Sequence, residues 1–304
     1  MKTKPGYTGL LLVDKESGPT SHDLVAALRR LLGVRRIGHC GTLDPLATGL
    51  MVLCVGNFTR LNPWLSSTDK EYVAILTLGA TSDTGDAEGH IEEFVAPRIP
   101  SEAEILKCLC NFKGEIEQVP PAFSAIKVGG VRSHKLARAG KQAELKARKV
   151  RIDEIELIAF DYPTLKIRVR CSKGTYIRSL AMDIGDELGC GAYLGALRRT
   201  AIGSMKIDQA LSLEAIEGHI GAKTLDEHFL DPRSALPDLR HVCLSGEGLI
   251  RFGHGNRIDL NEAAGEYAVY SKAGDLCGIG RCEDDQLQPT IVLQQPESGC
   301  YEAK

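Results

Sequence analysis

An unbroken apolar run, Leu10-Leu11-Leu12-Val13 behind Gly9, predicts a short strand near the start of the chain. Ser21 then reads as an N-cap, with Leu24, Val25, Leu28, Leu31 and Leu32 on one helical face and Gly33 just past the end. A glycine-punctuated loop over residues 38–45 leads into a second continuous apolar run, 50–55, which suits a strand buried on both faces. Residues 72–78 are rich in β-formers. Ser101-Glu102-Ala103-Glu104 is a capping box, and Ile105, Leu106, Leu109 and Phe112 form the stripe of the helix it starts. From Thr164 to Ser172 the chain alternates: Leu165, Ile167, Val169 and Cys171 face one way, Lys166, Arg168 and Arg170 the other. A helix over about 175–188 follows, burying Ile177, Leu180, Ala181, Ile184 and Leu188. Strands and helices mix without a steady βαβ repeat, so the expected class is α+β, with a mixed, largely antiparallel sheet flanked by helices. Near Leu236-Pro237 the pattern changes to short strands and glycine-rich turns. Two domains are therefore expected, residues 1–235 and a small all-β, barrel-like module over 236–304.

Composition narrows the function classes. The 304 residues carry 37 Lys and Arg against 40 Asp and Glu, which excludes a uniformly basic nucleic-acid coat. No run of about 18 apolar residues occurs, so no membrane-spanning helix is expected. Ten scattered cysteines without a CxxC pair point to reduced thiols and a cytoplasmic location. Charge is uneven, however. Residues 127–151 hold nine basic side chains, among them Lys127, Arg132, Arg148, Lys149 and Arg151, against one acid, Glu144, whereas residues 235–304 carry six basic and eleven acidic ones. A block of that density can neutralise several phosphates and gain affinity by counterion release, and it can equally be a solvated face.

The loop around Asp44 holds the most informative chemistry. Gly38, Gly41 and Gly49 loosen the backbone about one carboxylate, Leu43, Pro45 and Leu46 surround it with apolar groups, and the following proline keeps Asp44 extended. Such a carboxylate suits a nucleophile or base; Asp-Pro is equally a helix start, with Asp44 as its cap. Arg178 bears on that choice. Its neighbours at three and four positions are Gly174, Thr175, Ala181 and Met182, none acidic, so any carboxylate partner comes from elsewhere in the fold. A phosphate-binding GxxxxGK[ST] loop and an HExxH metal motif are both absent, Cys108-Leu109-Cys110 reads as helix core, and Cys40 as loop filling beside His39.

The segment from Gly38 to Gly49, GHCGTLDPLATG, closely resembles the catalytic motif of the TruB family of bacterial tRNA pseudouridine synthases. Lys70-Glu71-Tyr72 with Asp86-Ala87-Glu88-Gly89, then residues 119–127, 172–180 and Leu197-Arg198-Arg199-Thr200, are similar to the family's further motifs, in its order and spacing. The resemblance implies isomerisation of uridine to pseudouridine in the tRNA T loop, at the position numbered 55, with no cofactor and no metal. It implies Asp44 as nucleophile, acting on sugar or base, and Arg178 as its partner. It further implies Tyr72 stacked on the flipped uracil, Tyr176 and Leu197 lining the pocket, and His39 against the T loop. Without it, Tyr72 reads as a sheet tyrosine and Leu197 as core. A base extruded from its stack needs such aromatic and apolar walls.

The C-terminal segment resembles a PUA module, which in the family contacts the tRNA acceptor region, although this one is acidic. Two departures from the family pattern are Cys40 after the motif histidine and His134 where a tyrosine is usual. A monomer is expected, and a module that can be removed without ending catalysis. The competing reading is a non-catalytic RNA-binding protein, which would need none of Asp44, Arg178 and Tyr72; an RNA-guided relative is a third.

Overall fold

A computed structural model describes residues 6–94, 98–124, 126–133, 136 and 145–293. The two apolar runs become β1 (Gly9–Lys15) and β3 (Thr48–Val55), paired antiparallel along their length. Between them lie α1 (Ser21–Leu32) and β2 (Ile37–His39). The cap of α1 is Thr20, in a reciprocal capping box with Asp23, and not Ser21. Gly33 closes the helix in the left-handed conformation, where a side chain would be strained.

The large sheet runs in the order 229–230, β1, β3, 192–202, β4 (Lys70–Leu78), 164–171, 148–161, 114–118. Every pairing in it is antiparallel except that of β3 with the Ala192–Ile202 strand, so the mixed, largely antiparallel sheet is as expected. The parallel contact matters because it sets Arg198 and Arg199 against Thr48 and Gly49, at the exit of the Asp44 loop. Gly49, at φ +103°, comes so close to the Arg199 backbone that an added Cβ would lie 2.3 Å from its carbonyl oxygen. Only glycine fits there.

Continuous apolar runs are explained by burial on both faces. Leu11, Val13, Met51, Leu53 and Val55 enter one core with Leu24, Val25, Leu28 and Leu32 of α1 and with Ile177, Leu180 and Ile184. Leu10, Leu12, Leu50, Val52 and Cys54 enter another, with Leu236, Ala268, Tyr270, Leu276 and Ile279 from the C-terminal part. That part is an open five-stranded sheet, in the order 240–244, 265–271, 276–283, 286–292, 258–259, and it includes a helix, Gly246–Gly253, so it is not all-β. Trp64 Nε1 donates to Glu266 at 3.1 Å across the junction.

The shared core changes the expected outcome of truncation. Removing residues 236–304 uncovers the Leu10, Leu12, Leu50, Val52 and Phe58 face of the large sheet, and an exposed apolar patch of that kind drives aggregation. The truncated chain is expected to be mostly insoluble, as read by its soluble fraction and by size-exclusion chromatography. A monodisperse, folded and active truncation would show that the C-terminal sheet is not needed as a cover.

Candidate active site

Asp44 does not cap a helix. Its carbonyl accepts from Ala47 N at 3.1 Å in a turn, and β3 begins directly afterwards at Thr48. Two buried cations fasten this loop by its carbonyl oxygens. Lys15, at the end of β1, donates to the carbonyls of Ala47 at 2.7 Å, Pro45 at 3.1 Å and Asp44 at 3.3 Å. Arg199 donates to those of Leu50 at 2.7 Å and Gly41 at 3.2 Å. Ser21 Oγ ties both the N–H and the C=O of Leu43, at 2.9 Å each, which is the role this serine takes instead of capping α1. Carbonyls so engaged leave the loop little freedom, and the cations in turn have their buried charge solvated by backbone dipoles.

The side chain of Asp44 meets Arg178, whose Nη2 lies 3.1 Å from Oδ2. Arg178 is the second residue of the Ile177–Glu187 helix, nearer its start than the expected 175–188 span placed it. A cation at a helix N-terminus is opposed by the macrodipole, and no acid lies in this first turn. Compensation comes from two loops: Nη1 is also 3.3 Å from Asp86 Oδ2. Carbonyls of Thr84 and Phe123 accept from the same guanidinium at 3.1 and 2.7 Å. Asp86 is held in turn by the Thr84 hydroxyl at 2.6 Å and the Glu88 N–H at 3.1 Å. Arg178 and Asp86 are buried, whereas Asp44 keeps 44% of its side-chain surface open.

Although its tip is open, Asp44 is enclosed over a wider range. Desolvation pushes its carboxyl above the usual range; Arg178 and Lys15 pull it back and Asp86 adds to the rise. A carboxylate held in this way is poorly hydrated and keeps a counter-charge beside it, as a nucleophile requires. Glu88, exposed at the rim, is raised for the same kinds of reason, desolvation first and then Asp86 and Asp44.

Tyr72 is buried on β4, opposite Val169 on one side and Arg199 on the other. Desolvation raises its phenol and Arg199 draws it down, so it enters any chemistry as a neutral donor; the charge of Asp44 acts on it too. Leu197 lies opposite Ala74 of β4 and shares a core with Tyr72, Leu43 and Ala47. Tyr176 precedes the Ile177–Glu187 helix, and the Gln118 amide clamps both its N–H at 2.7 Å and its C=O at 3.0 Å. His39 ends β2 with its ring edge-to-face with His22 at 5.6 Å. Its Nδ1 is buried without a partner among the described residues, and desolvation, then His22, lower its pKa. Its neighbour Cys40 points the other way into the second core, 3.3 Å from Cys54 Sγ.

The basic block is less uniform than its composition suggests. Lys149 pairs with Glu115 at 2.7 Å, and Arg151 with Asp69 at 3.1 Å and Asp153 at 2.9 Å. Arg148 instead lies over the Tyr176 ring, 5.1 Å from its centroid. The side chains of Lys127 and Arg132, and residues 134, 135 and 137–144 with His134 among them, lie outside the described residues. A cavity of about 420 Å³ between the Glu102–Asn111 and Ile177–Glu187 helices is lined by none of His39, Asp44, Tyr72, Tyr176, Arg178 and Leu197.

Sequence reasoning assigned no role to Lys15, Asp86 or Arg199. For Lys15 a signal was present, a lysine ending a strand whose first five residues are apolar. Asp86 and Arg199 each fall within a family-like motif, but nothing local ties Asp86 to Arg178 or Arg199 to the Asp44 loop.

A profile described as TruB family pseudouridylate synthase, N-terminal domain, matches residues 29–177, and one described as tRNA pseudouridylate synthase B, C-terminal domain, matches 178–247. The chain is 48% identical over 286 residues to tRNA pseudouridine synthase B of Azoarcus sp., covering 94% of each chain. It is 39% identical over 301 residues to tRNA pseudouridine synthase B of Pseudomonas aeruginosa, covering 96% of this chain and 98% of that one. Among solved structures, a chain of a Cbf5-Nop10-Gar1 complex shares its fold, with a TM-score of 0.74 at 24% identity over 94% of this chain and 85% of that one.

Proposed function

The chain belongs to the TruB family of pseudouridylate synthases and isomerises uridine to pseudouridine in tRNA, and on that premise we propose that it acts in the T loop, at the position numbered 55, with Asp44 attacking the flipped nucleotide. The observation that carries this reading is the ion pair of Asp44 with a buried arginine at a helix start, in a loop pinned by two further cations. In the reaction the ribose–nitrogen bond breaks, the uracil turns and the anomeric carbon bonds to C5. The proton leaves C5 and the nitrogen gains one, so no electrons are exchanged and no co-reactant is required. Arg178 keeps Asp44 ionised and aimed. Tyr72 stacks on the uracil and serves as a neutral hydroxyl near the proton that moves. Tyr176 and Leu197 wall the pocket, and His39, with its unpartnered Nδ1, contacts the disrupted T loop. RNA loops are recognised by such shape and stacking contacts.

Around this centre, Lys127, Arg132, Arg148, Lys149 and Arg151 form the RNA-facing surface. Lys149 and Arg151 exchange their carboxylates for phosphates as tRNA docks. Residues 1–235 are the catalytic domain and 236–304 a PUA module that reaches toward the acceptor end, a division supported by the second sheet's first strand beginning at Arg240. The enzyme works as a cytoplasmic monomer without cofactor or metal. The test is to incubate it with unmodified tRNA transcript and map the product: pseudouridine at that one T-loop position supports the reading, and modification elsewhere overturns the site assignment.

A pH dependence follows from Asp44. The nucleophile must be ionised, so the single-turnover rate is expected to fall as pH drops through its raised pKa, above the 3.8 of an ordinary aspartate. Its stability contribution has the opposite sign. Folding favours the protonated form, so that contribution is fully present below the unfolded pKa and is lost as pH rises through the folded one. A rate–pH profile with its acid limb at or below the ordinary aspartate range would refute the assignment.

A further inference from the structure

We propose that Arg148 is a phosphate-binding residue of the substrate site: its guanidinium, seated against the Tyr176 ring, takes a phosphodiester oxygen of the RNA beside the reacting uridine. This deepens the reading above and rests on Tyr176 bordering the uridine pocket.

The setting of Arg148 is rigid. It opens the Arg148–Asp161 strand directly opposite Gln118, and the Gln118 amide holds both backbone groups of Tyr176. Strand end, ring and helix start thus form one unit, and two residues further along that helix Arg178 holds Asp44. The ring face supports the cation at 5.1 Å and fixes the plane of its fork.

Its electrostatic state is unlike that of its neighbours. Lys149 and Arg151 already have carboxylates. Among the described residues Arg148 has no carboxylate within ion-pair distance, and its Nη2 is buried without a hydrogen-bond partner. A buried donor left unpaired is costly, and the half-buried Arg148 has less water to shed on meeting an anion than an exposed lysine would. The planar fork can grip a phosphate with two parallel bonds. There is also a need for such a charge. Asp44 is 44% open and Glu88 is exposed, so two carboxylates face an approaching RNA backbone, and a fixed cation at the pocket border offsets that repulsion.

The experiment uses the full chain and a synthetic stem–loop RNA carrying the uridine found modified in the tRNA transcript. Each phosphate flanking that uridine is replaced in turn by an uncharged methylphosphonate. With native RNA, Arg148→Gln is expected to raise KM about tenfold, with kcat within about twofold, and to reduce the salt slope of binding by about 0.7–1. Arg148→Lys restores part of the loss. One methylphosphonate costs the wild-type enzyme the same factor and costs Arg148→Gln nothing more, because both changes remove one contact. Losses that multiply at every flanking phosphate overturn the proposal. So does a wild-type enzyme indifferent to all the neutral phosphates, a result independent of how any variant folds. Asp44→Asn, run in parallel, separates the two levels: if it is inactive while the Arg148 and phosphate losses multiply, only the clamp is wrong, whereas if it turns over, the site reading itself fails.

Discussion

Asp44→Asn is expected to lower the single-turnover rate of pseudouridine formation by at least about 10⁴-fold, the scale seen when a nucleophile is removed from an otherwise intact site. Affinity for unmodified tRNA should stay within a few-fold of wild type, since the asparagine keeps the shape of the loop and the contacts from Lys15, Arg199 and Ser21 go to main-chain groups. Stability is informative as well. The net effect of folding on Asp44 is to disfavour its ionised form, and Arg178 retains Asp86 when Asp44 is neutralised. The melting temperature of the variant at neutral pH should therefore equal or exceed that of the wild type. Loss of stability with loss of activity would mean that the carboxylate is a structural partner of Arg178 first. Retained turnover would remove it from the chemistry.

The second large effect is at Arg178. Arg178→Met leaves Asp86, 4% exposed, with only the Thr84 hydroxyl and the Glu88 N–H, among the described residues, bonded to its carboxylate. Breaking a buried pair from one side costs about 3–5 kcal/mol of stability. The kcat should fall by about 10²–10³, on the scale of losing one preorganised electrostatic partner, since Asp44 loses both aim and counter-charge. Arg178→Lys restores a charge but cannot span two carboxylates and two carbonyls, so stability should recover more than rate. The double variant Arg178→Met with Asp86→Asn tests the division. Neutralising the stranded partner should return much of the stability and none of the activity, read by thermal melts beside single-turnover assays. Turnover within tenfold of wild type in Arg178→Met would leave the arginine a purely structural role.

The parts of the fold that can be read from neighbours along the chain were legible. Capping boxes are four-residue signals, and the Ser101 box begins the Glu102–Asn111 helix where the sequence places it. Alternation over 164–171 buries Leu165, Ile167, Val169 and Cys171 as expected. Two long strands, 148–161 and 192–202, went unpredicted although the second is central in the sheet. Both carry register shifts, between Ile152 and Glu154 and between Leu157 and Ala159 in one, and between Leu194 and Ala196 and between Arg199 and Ala201 in the other. A bulge breaks the period of two, so the pattern that announces a strand is lost just where the strand bends.

By itself the sequence determined three of the helices, α1, Glu102–Asn111 and Ile177–Glu187, the apolar strands β1 and β3, the motif family and the choice of Asp44 as the proposed nucleophile, because each depends on residues adjacent in the chain or on motifs whose order is linear. The Asp44–Arg178 pair, implied by the motif resemblance, is met in the structure, whereas tertiary structure alone decided that Asp86 shares that guanidinium, that Lys15 and Arg199 pin the loop, and that the C-terminal sheet covers the back of β1 and β3. These are contacts between distant segments. Each depends on where a side chain stands once the sheet has closed around it, and no local spacing encodes that position.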